Sequence, residues 1–473
     1  MRSVITSSAW LLCLSMALPA VATAQAKAPA PVAGALTLSQ AWNLAMQNDP
    51  SYQAARSERD AGQANRALGR AGLLPQVNAS IMRSKVHGTL ETPGACGPEC
   101  TDLDYMSRIN EIRATQTVFN WSRIAEYRQG HARADYSLAV FDTKTDDSSM
   151  RLTNRYLQAL LARENVVLAE AKLQANEKQV IVAERRFKDG EGIIPEVREA
   201  LSRRDLARAE LIQAEDERVI ARRELQEVIG HAPMALAMLK RKFVPYPLTP
   251  KGEAQWLAMA LANNPEIRAA QQTVRVADHE IDRTFGGHLP SLELVAARRN
   301  VDAETISTRL QSSNTTSIGF ELSLPIYSGG LVSAQVEQAR HMHESQAQTL
   351  AATRERVAVE VARQYQAVVT GERRIEALMQ AVASSEEALK ASETGFQLGA
   401  RTMVDVLDAE DRVFQAKLDL TQARLEYIAG HLGLAAAAGR LDAATMERIS
   451  NAYFGGEMAA MVPTRMMAQT GER

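Results

Sequence analysis

With 473 residues, 54 basic and 56 acidic side chains and a formal net charge of -2, the chain lacks the clustered basic face that nucleic acid requires. Hydrophobic residues make up 46% of it but aromatics only 5%, a balance that favours long helices over thick aromatic cores. It carries no P-loop, Gly-rich dinucleotide turn or Ser/His/Asp elbow, so neither an enzyme nor a cofactor is expected.

Residues 1–24 read as a secretory signal. Arg2 precedes an apolar run from Ala9 to Leu18, and Ala22-Thr23-Ala24 forms a small-residue cleavage site before Gln25. Beyond it no run reaches the roughly eighteen apolar residues of a spanning helix, so any membrane crossing is expected in strands. Cys96 and Cys100 stand in a short Gly/Pro segment. In an oxidising compartment that pair is expected to close a loop disulfide, a metal site being disfavoured for want of nearby histidine.

The chain then reads as two structural repeats, 25–240 and 251–440, joined by a Pro-rich linker at 241–250 and followed by a tail, 441–473. A shift of 215 pairs Asn48 with Asn263, Pro50 with Pro265, Gly72 with Gly287 and Leu74-Pro75 with Leu289-Pro290 without a gap, the mark of an internal duplication. Leu36 to Gly72 is expected as helix opened by Ser39, with Asn48-Asp49-Pro50 as internal punctuation. After each Leu-Pro the period drops to two. Val77, Ala79 and Ile81 alternate with Asn78, Ser80 and Met82, and Leu292, Leu294 and Ala296 with Glu293, Val295 and Ala297. The returning strands are placed at Ile112 to Phe119 and at Thr316 to Tyr327, where Ile318, Phe320, Leu322, Leu324 and Ile326 line one side.

From about Trp121 to Asp189 and about Gly330 to Leu398 the chain is unbroken helix-former, each a rod of roughly 100 Å. Leu152, Ala159, Val166, Leu173, Val180 and Phe187 recur every seven residues, matched at a shift of 209 by Val361, Val368, Ile375, Val382, Leu389 and Phe396. A second row, Leu161, Leu168, Ala175 and Val182, lies about 200° round the helix, as expected for a stave with neighbours on both sides. Returning helices are expected from about Pro195 to Gly230 and Val404 to Gly439. The tail from Leu441 shows little periodicity and receives no role.

The fold class is therefore mainly α with a transmembrane β-barrel. Four strands of about ten residues cannot close a barrel, and open edges are not viable in lipid. Several copies must share one, a dimer or a trimer satisfying the smallest usual strand number. A secreted coiled-coil protein has no use for the strands, and a free-standing porin none for so much helix.

The duplicated Asn-Asp-Pro and Leu-Pro positions, Pro325-Ile326-Tyr327-Ser328-Gly329-Gly330, and Gly399 to Glu410 (GARTMVDVLDAE) resemble the TolC family of outer-membrane channel-tunnels. The resemblance covers about Leu36 to Leu441. It implies a homotrimer with a shared twelve-stranded barrel in outer-membrane lipid and a periplasmic helical duct. It also implies a periplasmic adaptor of the membrane fusion type and an inner-membrane ABC transporter, or alternatively an RND pump. The first helix, with Asp49-Pro50-Ser51-Tyr52 and Ala61-Gly62, looks more like the branch serving type I protein secretion, including haemolysin-like toxins, than the lipid-anchored drug-efflux branch; multidrug or metal efflux through the same fold is the alternative.

Four residues carry the expected site. Asp405 and Asp408 share one face at the start of a returning helix, where acids ordinarily complement the helix dipole. The resemblance implies instead that they line the periplasmic entrance. It implies too that Arg401 ties the closed entrance, with Glu196 at the position of its acidic partner, and that Phe396 replaces a tyrosine of that gate. His341 and His343 lie on different helix sides and lack a third ligand, so no metal site is expected.

Overall fold

The computed structural model describes residues 35–90, 101–233, 235–240 and 242–460. Cys96 and Cys100 fall outside the described residues, as does the expected signal.

Local chemistry sets each boundary. Thr37, two residues before the expected opener, caps α1 (Leu38–Asn48) in a reciprocal capping box with Gln40. Asp49 accepts the Ser51 N–H to open α2 (Pro50–Gln63), with Pro50 where its missing donor goes unneeded. After α3 (Asn65–Ala71) come β1 (Gln76–Leu90), β2 (Thr101–Phe119), the rod α4 (Trp121–Lys188), its return α5 (Ile194–Ile229) and β3 (Ala235–Leu239). The order then repeats: α6 (Glu253–Asn263), α7 (Pro265–Phe285), β4 (Ser291–Asp302), β5 (Ser312–Ser323), rod α8 (Leu331–Gln397) and return α9 (Met403–Ala437), followed by α10 (Ala443–Tyr453) and β6 (Phe454–Ala460). From each duplicated Asn/Pro stretch an asparagine reaches the last turn of the returning helix. Asn48 Nδ2 donates to the Ile229 carbonyl at 3.1 Å and Asn264 Nδ2 to the Ala437 carbonyl at 2.9 Å, satisfying carbonyls that a helix end leaves free.

The four long strands form one antiparallel sheet in the order β1-β2-β4-β5. Its register gathers the alternating apolar positions of both repeats on one face: Val77 stands opposite Ala114, Ala114 opposite Ala296, and Ala296 opposite Ile318. That face is uncovered, with Ile318 at 76%, Phe320 at 72% and Leu322 at 68% exposure. Residues on the other face, among them Asn78, Thr115, Arg299 and Glu321, are largely polar.

The strands correct two sequence expectations. β5 runs from Ser312 to Ser323, four residues upstream of the expected Thr316 to Tyr327, because Pro325 has no N–H for a ladder. In the first repeat β1 has 15 residues and β2 has 19, well beyond the expected ten. Hydrophobic alternation marks only the part with an apolar side, and the hairpin continues past it through polar pairs such as His87 with Asp104.

Residues 441–460 of the tail, for which no role was expected, are built into the core. Met446, Ile449, Ser450 and Tyr453 of α10 are buried, and β6 pairs with β3. Serine at one of these i, i+3, i+4, i+7 positions hides the apolar stripe. Tyr453 stacks on Phe243 at 5.0 Å, its hydroxyl accepts the Tyr246 N–H at 2.8 Å, and Tyr427 donates to the Tyr246 carbonyl at 3.1 Å. Tyr453 thus fastens the linker to the returning helix of the second repeat.

Along the rods Leu152, Ala159, Val166 and Val180 are buried, whereas the second row, Leu161, Leu168, Ala175 and Val182, is only half-buried or exposed. Phe187, the lowest member of the first row, is also exposed.

Higher up, α3 and α4 meet almost backbone to backbone. A Cβ on Gly130 would lie 2.5 Å from the Asn65 carbonyl oxygen and 3.2 Å from Gly69 Cα. Alanine normally stabilises a helix interior by about 1 kcal/mol over glycine, but overpacking against backbone costs about 1–3 kcal/mol. Gly130→Ala is therefore expected to lower the melting temperature in detergent, and an unchanged or raised value would contradict this packing.

Candidate functional site

Both rods end at glycines in the left-handed region, Gly190 (φ 80°) and Gly399 (φ 74°), which release the chain from the helix. Beyond them the returns start close together. Val180 and Ala183 of α4, Ala200 of α5, Phe396 of α8 and Met403, Val406 and Leu407 of α9 form one buried cluster near the tips. Phe396, which has no hydroxyl to bond, fills this cluster with Arg186 4.5 Å above its ring.

Thr402 and Asp405 form a capping box that opens α9. The Thr402 N–H and hydroxyl each lie 2.8 Å from Asp405 Oδ2, and the Asp405 N–H donates to the Thr402 hydroxyl at 3.2 Å. The Thr402 backbone, then its hydroxyl, then Arg401 hold the exposed Asp405 carboxyl below the usual range, so it is anionic at neutral pH. Arg401 Nη1 sits 3.9 Å from Asp405 Oδ1. Within the chain Asp405, not Glu196, is therefore the neighbour of Arg401. Glu196 occupies the first turn of α5, half-exposed and without a side-chain hydrogen bond among the described residues.

Asp408 leads to residues that sequence reasoning missed. Arg203 of α5 donates from Nη2 to Asp408 Oδ1 at 2.9 Å, from Nη1 to Asp411 Oδ2 at 2.7 Å, and from Nε to Glu199 Oε1 at 2.9 Å. Lys172 of α4 lies 3.0 Å from Asp411 Oδ1 and 2.7 Å from Glu210 Oε2. Three helices are thus joined by charge. The only prior sign was an excess of acids in the first turns of α9, which identifies no partner.

Glu410 points the other way. It is buried, with Oε1 accepting from Gln179 at 2.8 Å and Oε2 unpartnered. Burial, with smaller contributions from Glu393 and Asp411, raises its pKa.

A separate cavity of about 550 Å³ between α4, α8 and the start of α7 is lined by Asp146, Asp147, Glu266, Arg356 and Glu360. Burial and then Asp142 and Asp147 push Asp146 up to about 7. No cluster of metal-ligating side chains occurs among the described residues. Among these residues, too, no helix is long and apolar enough to cross a membrane.

The uncovered apolar sheet face, carried on paired helical rods, is matched by comparison with known proteins. Residues 41–231 and 256–440 match the family described as outer membrane efflux protein. The chain belongs to that family. It is 32% identical to the alkaline protease secretion protein AprF of Pseudomonas aeruginosa over 429 residues, covering 90% of this chain and 89% of AprF. It is 31% identical to the proteases secretion protein PrtF of Dickeya chrysanthemi over 426 residues, 88% and 91% of the two chains. The Campylobacter jejuni CmeC outer membrane channel superposes with a TM-score of 0.74 at 15% identity, covering 88% of this chain and 89% of CmeC. The TolC-family resemblance, the fold and the outer-membrane location follow from these matches. The protein is an export channel of that membrane.

An acid whose folded-state pKa is raised holds its proton longer when folded, so its ionisation burdens the fold fully above the folded pKa and not at all below the unfolded one. Glu410→Gln is therefore expected to raise the melting temperature at pH 8 and to converge on the wild type near pH 4. An equal gain at both pH values would contradict the assignment.

Proposed function

We propose that three copies of this chain form the exit duct of a type I secretion machine. It passes unfolded protein from an inner-membrane ABC transporter and a periplasmic adaptor to the outside, without catalysis of its own. The observation that carries this reading is the four-stranded sheet. Its apolar face is exposed and, among the described residues, its outer strands β1 and β5 have no further partner in their own sheet. Such edges are viable in a bilayer only when further strands close the barrel, and three chains supply twelve. The rods then continue the wall into the periplasm.

Protein as the cargo is supported by AprF and PrtF, both named for protease secretion. Small-molecule or metal efflux through the same architecture is the competing reading. Deleting the gene is expected to abolish appearance of a large secreted protein in the medium while leaving drug and metal sensitivity unchanged. The reverse pattern would overturn the cargo assignment.

At the tips, Asp405 and Asp408 from three chains would set six carboxylates round a narrow entrance, a ring that binds cations and repels anions. Arg401 and Glu196 belong to the same gate, and Glu196 is free to meet an arginine of a neighbouring subunit. In planar bilayers Asp405→Asn combined with Asp408→Asn is expected to relieve block by a multivalent cation at least about tenfold, six charges having left the ring. Block that persists would place the ring elsewhere.

A further inference from the structure

Six charged side chains lie just inside the tips: Lys172 on α4, Glu199, Arg203 and Glu210 on α5, and Asp408 and Asp411 on α9. Four are acids and two are bases, so the group carries more negative charge than its cations balance. Arg203 occupies its centre. A planar guanidinium can hold three carboxylates at once, which a lysine ammonium cannot do in the same geometry. Glu199, on the same helix, orients the side chain, leaving both terminal nitrogens for α9.

The placement matters because α5 returns from the first repeat and α9 from the second. Each packs closely along its own rod, whereas α5 and α9 touch each other at few points. Arg203 is a polar tie between them, and it falls on Asp408, one of the two acids assigned to the entrance.

We propose that Arg203 is a positioning residue of the entrance, with two effects separable in principle. Its bridge to Asp408 and Asp411 holds the two returning helices of one subunit together, and its charge compensates Asp408, leaving Asp405 as the principal cation-binding carboxylate. Without the guanidinium, Glu199 on α5 faces Asp408 and Asp411 on α9 with only Lys172 to offset them. Attraction between the helices becomes repulsion. A single exposed ion pair contributes little, but a three-carboxylate bridge forms a network, and its loss reverses the sign of the interaction. This inference rests on the reading of Asp405 and Asp408 as an entrance ring.

The test uses the full-length trimer in planar bilayers, with the inert trivalent hexaamminecobalt(III) ion as the probe. Arg203→Gln is expected to raise the resting conductance. It should also lower the half-blocking concentration about tenfold, as when three compensating charges leave a solvated ring. Arg203→Lys is expected to return the half-blocking concentration to within about twofold of wild type, because the charge is kept. Its conductance should stay raised, because the bridge is not. That split separates a positioning role from general loss of structure, and Arg203→Lys tests the bridge even if Arg203→Gln fails to assemble. Wild-type conductance and block in both variants, in a channel that Asp405→Asn with Asp408→Asn does unblock, would overturn the proposal and leave the ring standing. Block unaffected by the paired aspartate substitutions would overturn the ring and this proposal with it.

Discussion

Everything in this molecule answers to backbone hydrogen bonding at the two edges of its main sheet. Among the described residues β1 and β5 each have one neighbour in that sheet, and the apolar side chains on one face stand uncovered. An uncovered apolar face in water invites aggregation, and an unpaired edge in lipid leaves donors and acceptors unsatisfied at several kcal/mol each. Lipid against the face and further strands against the edges resolve both demands together. An outer-membrane barrel shared among chains satisfies them.

The same logic extends down the rods. Each repeat makes one helical hairpin, α4 with α5 and α8 with α9; the first closes a small core of its own at Val166, Ala169 and Ala214, and near the tips both hairpins share another. The second row of α4 leaves an apolar seam that the described residues cover only in part. Where the repeats meet, Tyr156, Phe243, Tyr427, Tyr453 and Phe454 lie together in one buried cluster. The tyrosine hydroxyls there bond backbone groups of the linker and the small β3–β6 sheet. The tips are held differently, by one small apolar cluster and by charge. Ionic ties at a partly solvated surface are individually weak, so the middle of each rod and its tip differ in how readily the helices can separate.

The organisation was largely legible beforehand. Duplication showed in the unbroken offset of Asn, Pro and Leu-Pro positions, the rods in their heptad rows and terminal glycines, and the strands in strict alternation. Errors fell where another rule overrode periodicity. Pro325 ended β5 although Ile326 continued the alternation, polar pairs prolonged the β1–β2 hairpin after its apolar residues ran out, and Ser450 interrupted the stripe that would have revealed α10. At the tips Asp405, Asp408 and Arg401 stood out by motif, yet Arg203 and Lys172 looked like any other charges on helices rich in them.

The amino-acid order alone thus determined which segments are helix or strand, that they come in two copies, and that an apolar sheet face must be buried outside the chain, because these depend on periodicity and local steric rules. Only the tertiary structure decided which charges meet between helices, Arg203 with Asp408 and Asp411 above all, and that α10 and β6 complete the core where the repeats meet. Those outcomes depend on the relative height and rotation of helices more than a hundred residues apart in sequence, which no local pattern encodes.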